Sequence, residues 1–160
     1  MTSKKTRQVL SILVSDTSGT LLRIAEIFGS RGYNVDSICS GSCEEPNCQR
    51  LTLVCNEPPN NIEKIVKLLD QLIDIYDITL INPASEITRE LMLAKISFTG
   101  DKLALLNDLR EFDAKIIRDD DKHISLEAIG TAYTIDKIYE IIKKYQIVEI
   151  SRTGEAAIQK

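Results

Sequence analysis

Aromatic residues are scarce in this chain: tryptophan is absent, and phenylalanine and tyrosine bring the total to 5% of 160 residues. RNA-binding sheets stack bases on aromatic side chains of their central strands and ring them with positive charge. The segment Gln49 to Cys55 carries no aromatic and the formal net charge is −4, so neither nucleic acid nor an anionic membrane is an expected partner. Histidine occurs once. His123 lies beside a turn with no nucleophile near it, and no triad or acid–base pair shares an element, which argues against an enzyme. No apolar run approaches the length of a membrane span. The four cysteines, Cys39, Cys43, Cys48 and Cys55, form no C-x-x-C pair, which weakens a zinc or redox reading. Cys39 and Cys55 read as small strand residues and Cys43 and Cys48 as occupants of one loop, with a reversible Cys43–Cys48 link as the alternative. The acidic run Asp119-Asp120-Asp121 reads as a solvated turn rather than a divalent-ion site. Lys64, Lys67, Lys143 and Lys144 read as solvated helix faces.

What is present is enough apolar residue for a buried core, 43% of the chain, in two similar runs. The organising stretch is Val9 to Asn34. An apolar strand (Val9 to Val14) ends in Ser15-Asp16-Thr17-Ser18-Gly19, which opens onto a helix over Thr20 to Ser30 with Leu21, Ile24, Ala25 and Phe28 on one face. Gly32 supplies the stop. Strands follow over Val35 to Gly41 and Gln49 to Cys55, around the turn-rich Glu44-Glu45-Pro46-Asn47. A helix capped by Pro58-Pro59-Asn60-Asn61 carries Ile62, Ile65, Val66, Leu69 and Leu72, and a strand over Ile75 to Ile81 closes the unit. The order is βαββαβ.

The pattern then repeats. A strand is expected over Glu90 to Phe98, a break at Gly100-Asp101 and a helix over Lys102 to Phe112 with Leu103, Leu106, Leu109 and Phe112 along it. Strands over Ala114 to Arg118 and Ile124 to Gly130, a helix over Thr134 to Lys144 and a strand over Ile147 to Arg152 complete it. The fold class is therefore α+β: two tandem ferredoxin-like βαββαβ units, antiparallel sheets with helices on one face. The expected domains are 7–82 and 89–160, joined by a linker at 83–88. Each sheet leaves one face and its edges open, and such edges are managed by pairing or covering, so a homodimer is expected.

The loop before the first helix offers both poles that a free amino acid needs. The first backbone N–H groups of a helix have no partner within it, and the helix dipole favours negative charge there by about 0.3–2 kcal/mol. Gly19, Thr20 and Leu21 would hold a carboxylate, while Asp16 could take an ammonium. Asn34 adds an amide donor and acceptor, and Leu21 and Val35 could line a small apolar socket. Thr17 or Ser18 capping the helix is the plainer use of the same atoms.

Asp16-x-x-Gly19-x-Leu21 on a strand-to-helix loop resembles the signature of the ACT domain, a βαββαβ module that binds amino acids between paired copies. Arg31-Gly32-Tyr33-Asn34-Val35-Asp36-Ser37 resembles a run in the small, regulatory subunits of acetohydroxyacid synthase (acetolactate synthase). So do Pro46 with Arg50-Leu51-Thr52, Arg89-Glu90-Leu91-Met92-Leu93-Ala94-Lys95, and Ile150-Ser151-Arg152-Thr153-Gly154, in collinear order. The resemblance implies a non-catalytic subunit that binds and activates the catalytic large subunit and confers feedback inhibition by valine, leucine or isoleucine. It implies an effector site of Asp16, Ser18, Gly19, Thr20 and Leu21 from one copy with Asn34 and Val35 from another, in a homodimer formed through an N-terminal ACT domain. Thiamine diphosphate, flavin (FAD) and magnesium would belong to the large subunit, with no cofactor and no metal in this chain, and the expected location is the cytoplasm. A stand-alone ACT-type regulator of another metabolic enzyme is the alternative. The family often has Asn where this chain has Asp16, and its loop matching Ser40 to Gln49 usually lacks cysteine.

Overall fold

In the computed structural model, which describes residues 4–97, 102–120 and 122–160, two antiparallel sheets each carry two helices. The first is built from β1 (Thr6–Ser15), α1 (Thr20–Ser30), β2 (Ser37–Ser42), β3 (Cys48–Glu57), α2 (Pro59–Leu69) and β4 (Ile75–Ile81). Its strand order is β2-β3-β1-β4. The second comprises β5 (Ile87–Ser97), α3 (Lys102–Leu109), β6 (Ala114–Asp119), β7 (His123–Gly130), α4 (Ala132–Ile142) and β8 (Gln146–Ile158), in the order β6-β7-β5-β8. This is the α+β architecture of paired βαββαβ units. The expected strand end at Phe98, the break at Gly100-Asp101 and the turn residue Asp121 lie outside the described residues.

Strand alternation fixes the first core. Leu10, Ile12 and Val14 of β1 and Leu51, Leu53 and Cys55 of β3 point to one face, where Ile24 and Phe28 of α1 and Ile62, Ile65 and Leu69 of α2 cover them. The second core repeats the arrangement with Met92, Ala94 and Ile96, Ile124, Leu126 and Ala128, and Ile135, Ile138 and Ile142. The helix faces differ from expectation at two places. In α1 the buried row is Thr20, Ile24 and Phe28; Leu21 is 49% exposed and Ala25 is exposed. The i,i+4 row that meets the sheet begins one residue earlier than the apolar spacing suggests. In α3 the buried pair is Leu105 and Leu109, with Leu103 and Leu106 exposed, and the helix stops before Phe112.

The last strand differs most. β8 runs to Ile158, well past the expected Arg152. By contacts the chain divides into Met1–Ile87 with Glu155–Lys160, and Thr88–Gly154, so its final residues pack with the first unit. The reason is chemical. Ala157 packs with Val9, Val54 and Ile81 on the helix-free face of the first sheet, and its N–H donates to Thr52 Oγ1 at 3.2 Å. Arg7 pairs with Glu155, which is 2% exposed. That face, expected to be open, is therefore partly covered by the chain itself.

Candidate functional site

The end of α1 sets the position of Asn34. Gly32 has φ 68 and its N–H donates to Gly29 O at 3.2 Å, while Tyr33 N–H donates to Phe28 O at 3.0 Å. These are the paired bonds of a left-handed helix stop, and glycine takes such a φ without strain. The Phe28 and Tyr33 rings meet edge to face at 6.4 Å, the apolar contact that accompanies such a stop. Asn34 follows directly and is exposed; its Nδ2 lies 3.3 Å from Asp36 Oδ1, while Val35 is half-buried against the core.

At the other end of α1, Gly19 is the N-cap residue, with φ 90 and no side chain bonded to the first turn. Neither Thr17 nor Ser18 supplies the expected cap. The Thr17 hydroxyl instead meets Thr20 Oγ1 at 3.0 Å, and the Thr20 hydroxyl donates to Thr17 O at 3.1 Å. Thr20 N–H also turns back to Thr17 O, at 3.3 Å. Thr20 is thus a buried strut, which leaves Gly19, Leu21 and Leu22 as the first-turn residues whose amides have no acceptor within the helix. Ser18 and Asp16 are exposed beside them.

Three residues that sequence reasoning did not assign hold this loop. Asp74, just before β4, accepts Ser15 N–H through its carbonyl at 2.8 Å, lies 2.5 Å from Arg23 Nη2, and is 3.4 Å from the Thr17 hydroxyl. Asn47 O accepts Asp16 N–H at 2.8 Å, and Gln49 Nε2 donates to Asp16 Oδ1 at 2.7 Å. Arg23 lies under the glycine: a Cβ at Gly19 would stand 3.2 Å from its Nη1. β1 lies between β3 and β4, which brings both braces to its end, and this adjacency is not a local sequence signal.

One chain does not bring the two groups of site residues together. Gly19 and Asn34 flank opposite ends of the 11-residue α1, a separation of about 16 Å at 1.5 Å per residue.

All four cysteines are free thiols, and burial first, then Glu57 and Asp36, push the Cys55 thiol up to about 11. Asp119 pairs with Lys102 and Asp120 with Arg118. His123 is half-buried at the start of β7. Lys143 and Lys144 are exposed on Glu140 and Asp108. Among the described residues no three His, Cys, Asp or Glu side chains gather as a metal site, and no helix is long and apolar enough to cross a membrane.

A βαββαβ unit with an Asp-x-x-Gly loop opening onto an uncapped helix defines an ACT-type regulatory domain. Residues 10–77 match the family model of the AHAS small subunit-like ACT domain, and residues 89–160 that of the small subunit of acetolactate synthase. The acetolactate synthase small subunit of Buchnera aphidicola subsp. Baizongia pistaciae is 35% identical over 155 residues, covering 96% of this chain and 98% of its own. That of Bacillus subtilis is 31% identical over 156 residues, covering 96% and 91%. The crystal structure of the acetolactate synthase small subunit from Thermotoga maritima matches with a TM-score of 0.88 at 28% identity, covering 97% of this chain and 98% of that one. The chain belongs to the acetolactate synthase small-subunit family. It is thus a regulatory subunit in branched-chain amino-acid biosynthesis, and the family implies a catalytic large subunit as its partner.

Proposed function

We propose that this subunit binds and activates the catalytic large subunit and confers feedback inhibition by valine, or by another branched-chain amino acid, held between two copies of its N-terminal domain. The observation that carries the reading is the uncapped start of α1, with the exposed apolar Leu21 beside it. The amides of Gly19 and Leu21 take the effector's carboxylate, Asp16 takes its ammonium and Ser18 borders it. Leu21 and the second copy's Val35 flank the aliphatic side chain, with Asn34 of that copy adding its amide. Catalysis with thiamine diphosphate, FAD and magnesium belongs to the large subunit.

A ligand of valine's size, at ordinary efficiency per atom, gains about 6–8 kcal/mol, a Kd of roughly 1–100 μM. The test is calorimetric titration of valine, leucine and isoleucine into the protein, repeated with Gly19→Asp and Asn34→Ala. Gly19→Asp sets a second anion at the helix mouth and abolishes binding, and Asn34→Ala weakens it at least several-fold. Full affinity in both variants overturns the site. Assays with the large subunit then read activation and its reversal by the amino acid.

A further inference from the structure

Cys43 and Cys48 take no part in the function proposed above. The β2–β3 ladder ends on the facing pair Ser42 and Gln49, and these cysteines stand one residue beyond it on either side of the loop Glu44-Glu45-Pro46-Asn47, near enough for Cys43 to act electrostatically on Cys48. Facing residues of antiparallel strands have Cα atoms about 4.5–5.5 Å apart, within the roughly 4.4–6.8 Å that a disulfide spans. Both are free and half-buried, and the Cys43 thiol donates to Glu45 O at 3.8 Å. The connecting turn is fixed by Cys48 N–H donating to Glu45 O at 3.3 Å and by Asn47 at φ 58, a value asparagine tolerates better than most residues.

We propose that Cys43 and Cys48 form a reversible disulfide that staples the β2–β3 hairpin, a thiol–disulfide modification site whose oxidant is a low-molecular-weight disulfide. One cysteine thiolate attacks the oxidant's S–S bond and expels one small thiolate. The other cysteine then attacks the protein sulfur of the mixed disulfide and expels the second. The protein loses two hydrogens as protons and two electrons, and the oxidant is reduced to two thiols. Partial burial, with Cys43, Glu45, Asp16 and Glu44 around it, raises the Cys48 thiol above its ordinary range.

The staple acts on the neighbouring loop. Cys48 on β3 faces Ser15 at the end of β1, Asn47 O holds Asp16 N–H, and Gln49 holds the Asp16 carboxylate. Fixing the hairpin therefore fixes the Asp16 backbone.

The test treats the full chain with bis(2-hydroxyethyl) disulfide and reads it by mass spectrometry after cleavage at Glu44. The expected product is two hydrogens lighter, and the fragments flanking Glu44 stay joined until reduced. Cys43→Ser instead leaves Cys48 carrying a single mercaptoethanol adduct. Two adducts on the native protein without a link, or a link through Cys39 or Cys55, overturns the proposal. Hydrogen exchange at the Asp16 amide slows on the order of tenfold in the oxidised form; unchanged exchange refutes the bracing. Both readouts are made without effector, so they stand or fall separately from the valine titration.

Discussion

Replacing Arg152 by methionine tests what holds the second unit together. Arg152 on β8 donates from Nε to Glu90 Oε1 at 2.7 Å and from Nη2 to Oε2 at 3.0 Å, while Nη1 reaches Asp136 Oδ1 at 2.9 Å. Glu90 is 5% exposed, whereas the Arg152 side chain is 35% exposed. The hydrogen bond to Glu90 raises the arginine's pKa further, outweighing the burial that opposes it, with Asp136 adding to the effect. Removing the guanidinium strands the Glu90 carboxylate in the interior. Breaking a fully buried pair costs about 3–5 kcal/mol; water that reaches the arginine's side lowers this to about 2–3 kcal/mol. For a unit the size of Thr88–Gly154, that is a fall in Tm of roughly 10–20 °C by scanning calorimetry. Asp136 is exposed and keeps its water. The combined variant Glu90→Met with Arg152→Met removes the stranded charge and should recover most of the loss. A double variant as unstable as Arg152→Met alone, or a single variant that melts within about 2 °C of the native protein, would refute the buried-charge account.

Asp74→Ala removes the carboxylate from Arg23 and Thr17 but leaves the Ser15 backbone bond; valine affinity by calorimetry should weaken about 3–10-fold, and unchanged affinity would mean that Asp74 does not position the loop. Cys55 ionises near 11 in the folded chain against an ordinary value of 9.0, so above pH 9 the unfolded state sheds a proton the native state keeps. Stability of the first unit should therefore fall from about pH 9 to about pH 11, by at most about 2.7 kcal/mol, and Cys55→Ala should flatten that slope. Thr131 caps α4 by accepting Thr134 N–H at 3.2 Å, so Thr131→Ala should cost the second unit about 1 kcal/mol with the first unit's melting unchanged.

Local chemistry was legible from residue types alone. The stop of α1 at Gly32, the proline-led start of α2 and the bounds of β4 all follow from a few adjacent residues. Phase and partnership were not. Leu21 looks like core by spacing, yet the sheet meets the row through Thr20, so a leucine faces outward at the helix mouth. The run Arg89-Glu90 and the run Ser151-Arg152 read as two separate motifs, but Glu90 and Arg152 form one ion pair across 62 positions. The tail past Arg152 has no strand signature of its own; its course is set by Thr52, Arg7 and the Val9–Val54–Ile81 patch. The loop around Asp16 and Gly19 and the helix stop before Asn34 were legible in the sequence, whereas Asp74, Asn47 and Gln49 become neighbours of that loop only once β3 and β4 flank β1.

The proposed site, divided between the two ends of one helix, carries a thermodynamic signature. Gly19 and Asn34 lie about 16 Å apart along the 11-residue α1, farther than an amino acid of valine's size can bridge. In a two-fold dimer the loop of each copy would meet Asn34 of the other, giving two equivalent sites that vanish together on dissociation. Effector binding and dimer formation are then one linked equilibrium. The dimer dissociation constant falls by the square of one plus the ratio of effector to its Kd, about 10²-fold at ten times Kd and about 10⁴-fold at one hundred. Dilution of fluorescently labelled protein, with and without saturating valine, reads this shift directly. A dissociation constant that valine does not move would mean that the loop and Asn34 never share a ligand across copies, however tightly valine binds.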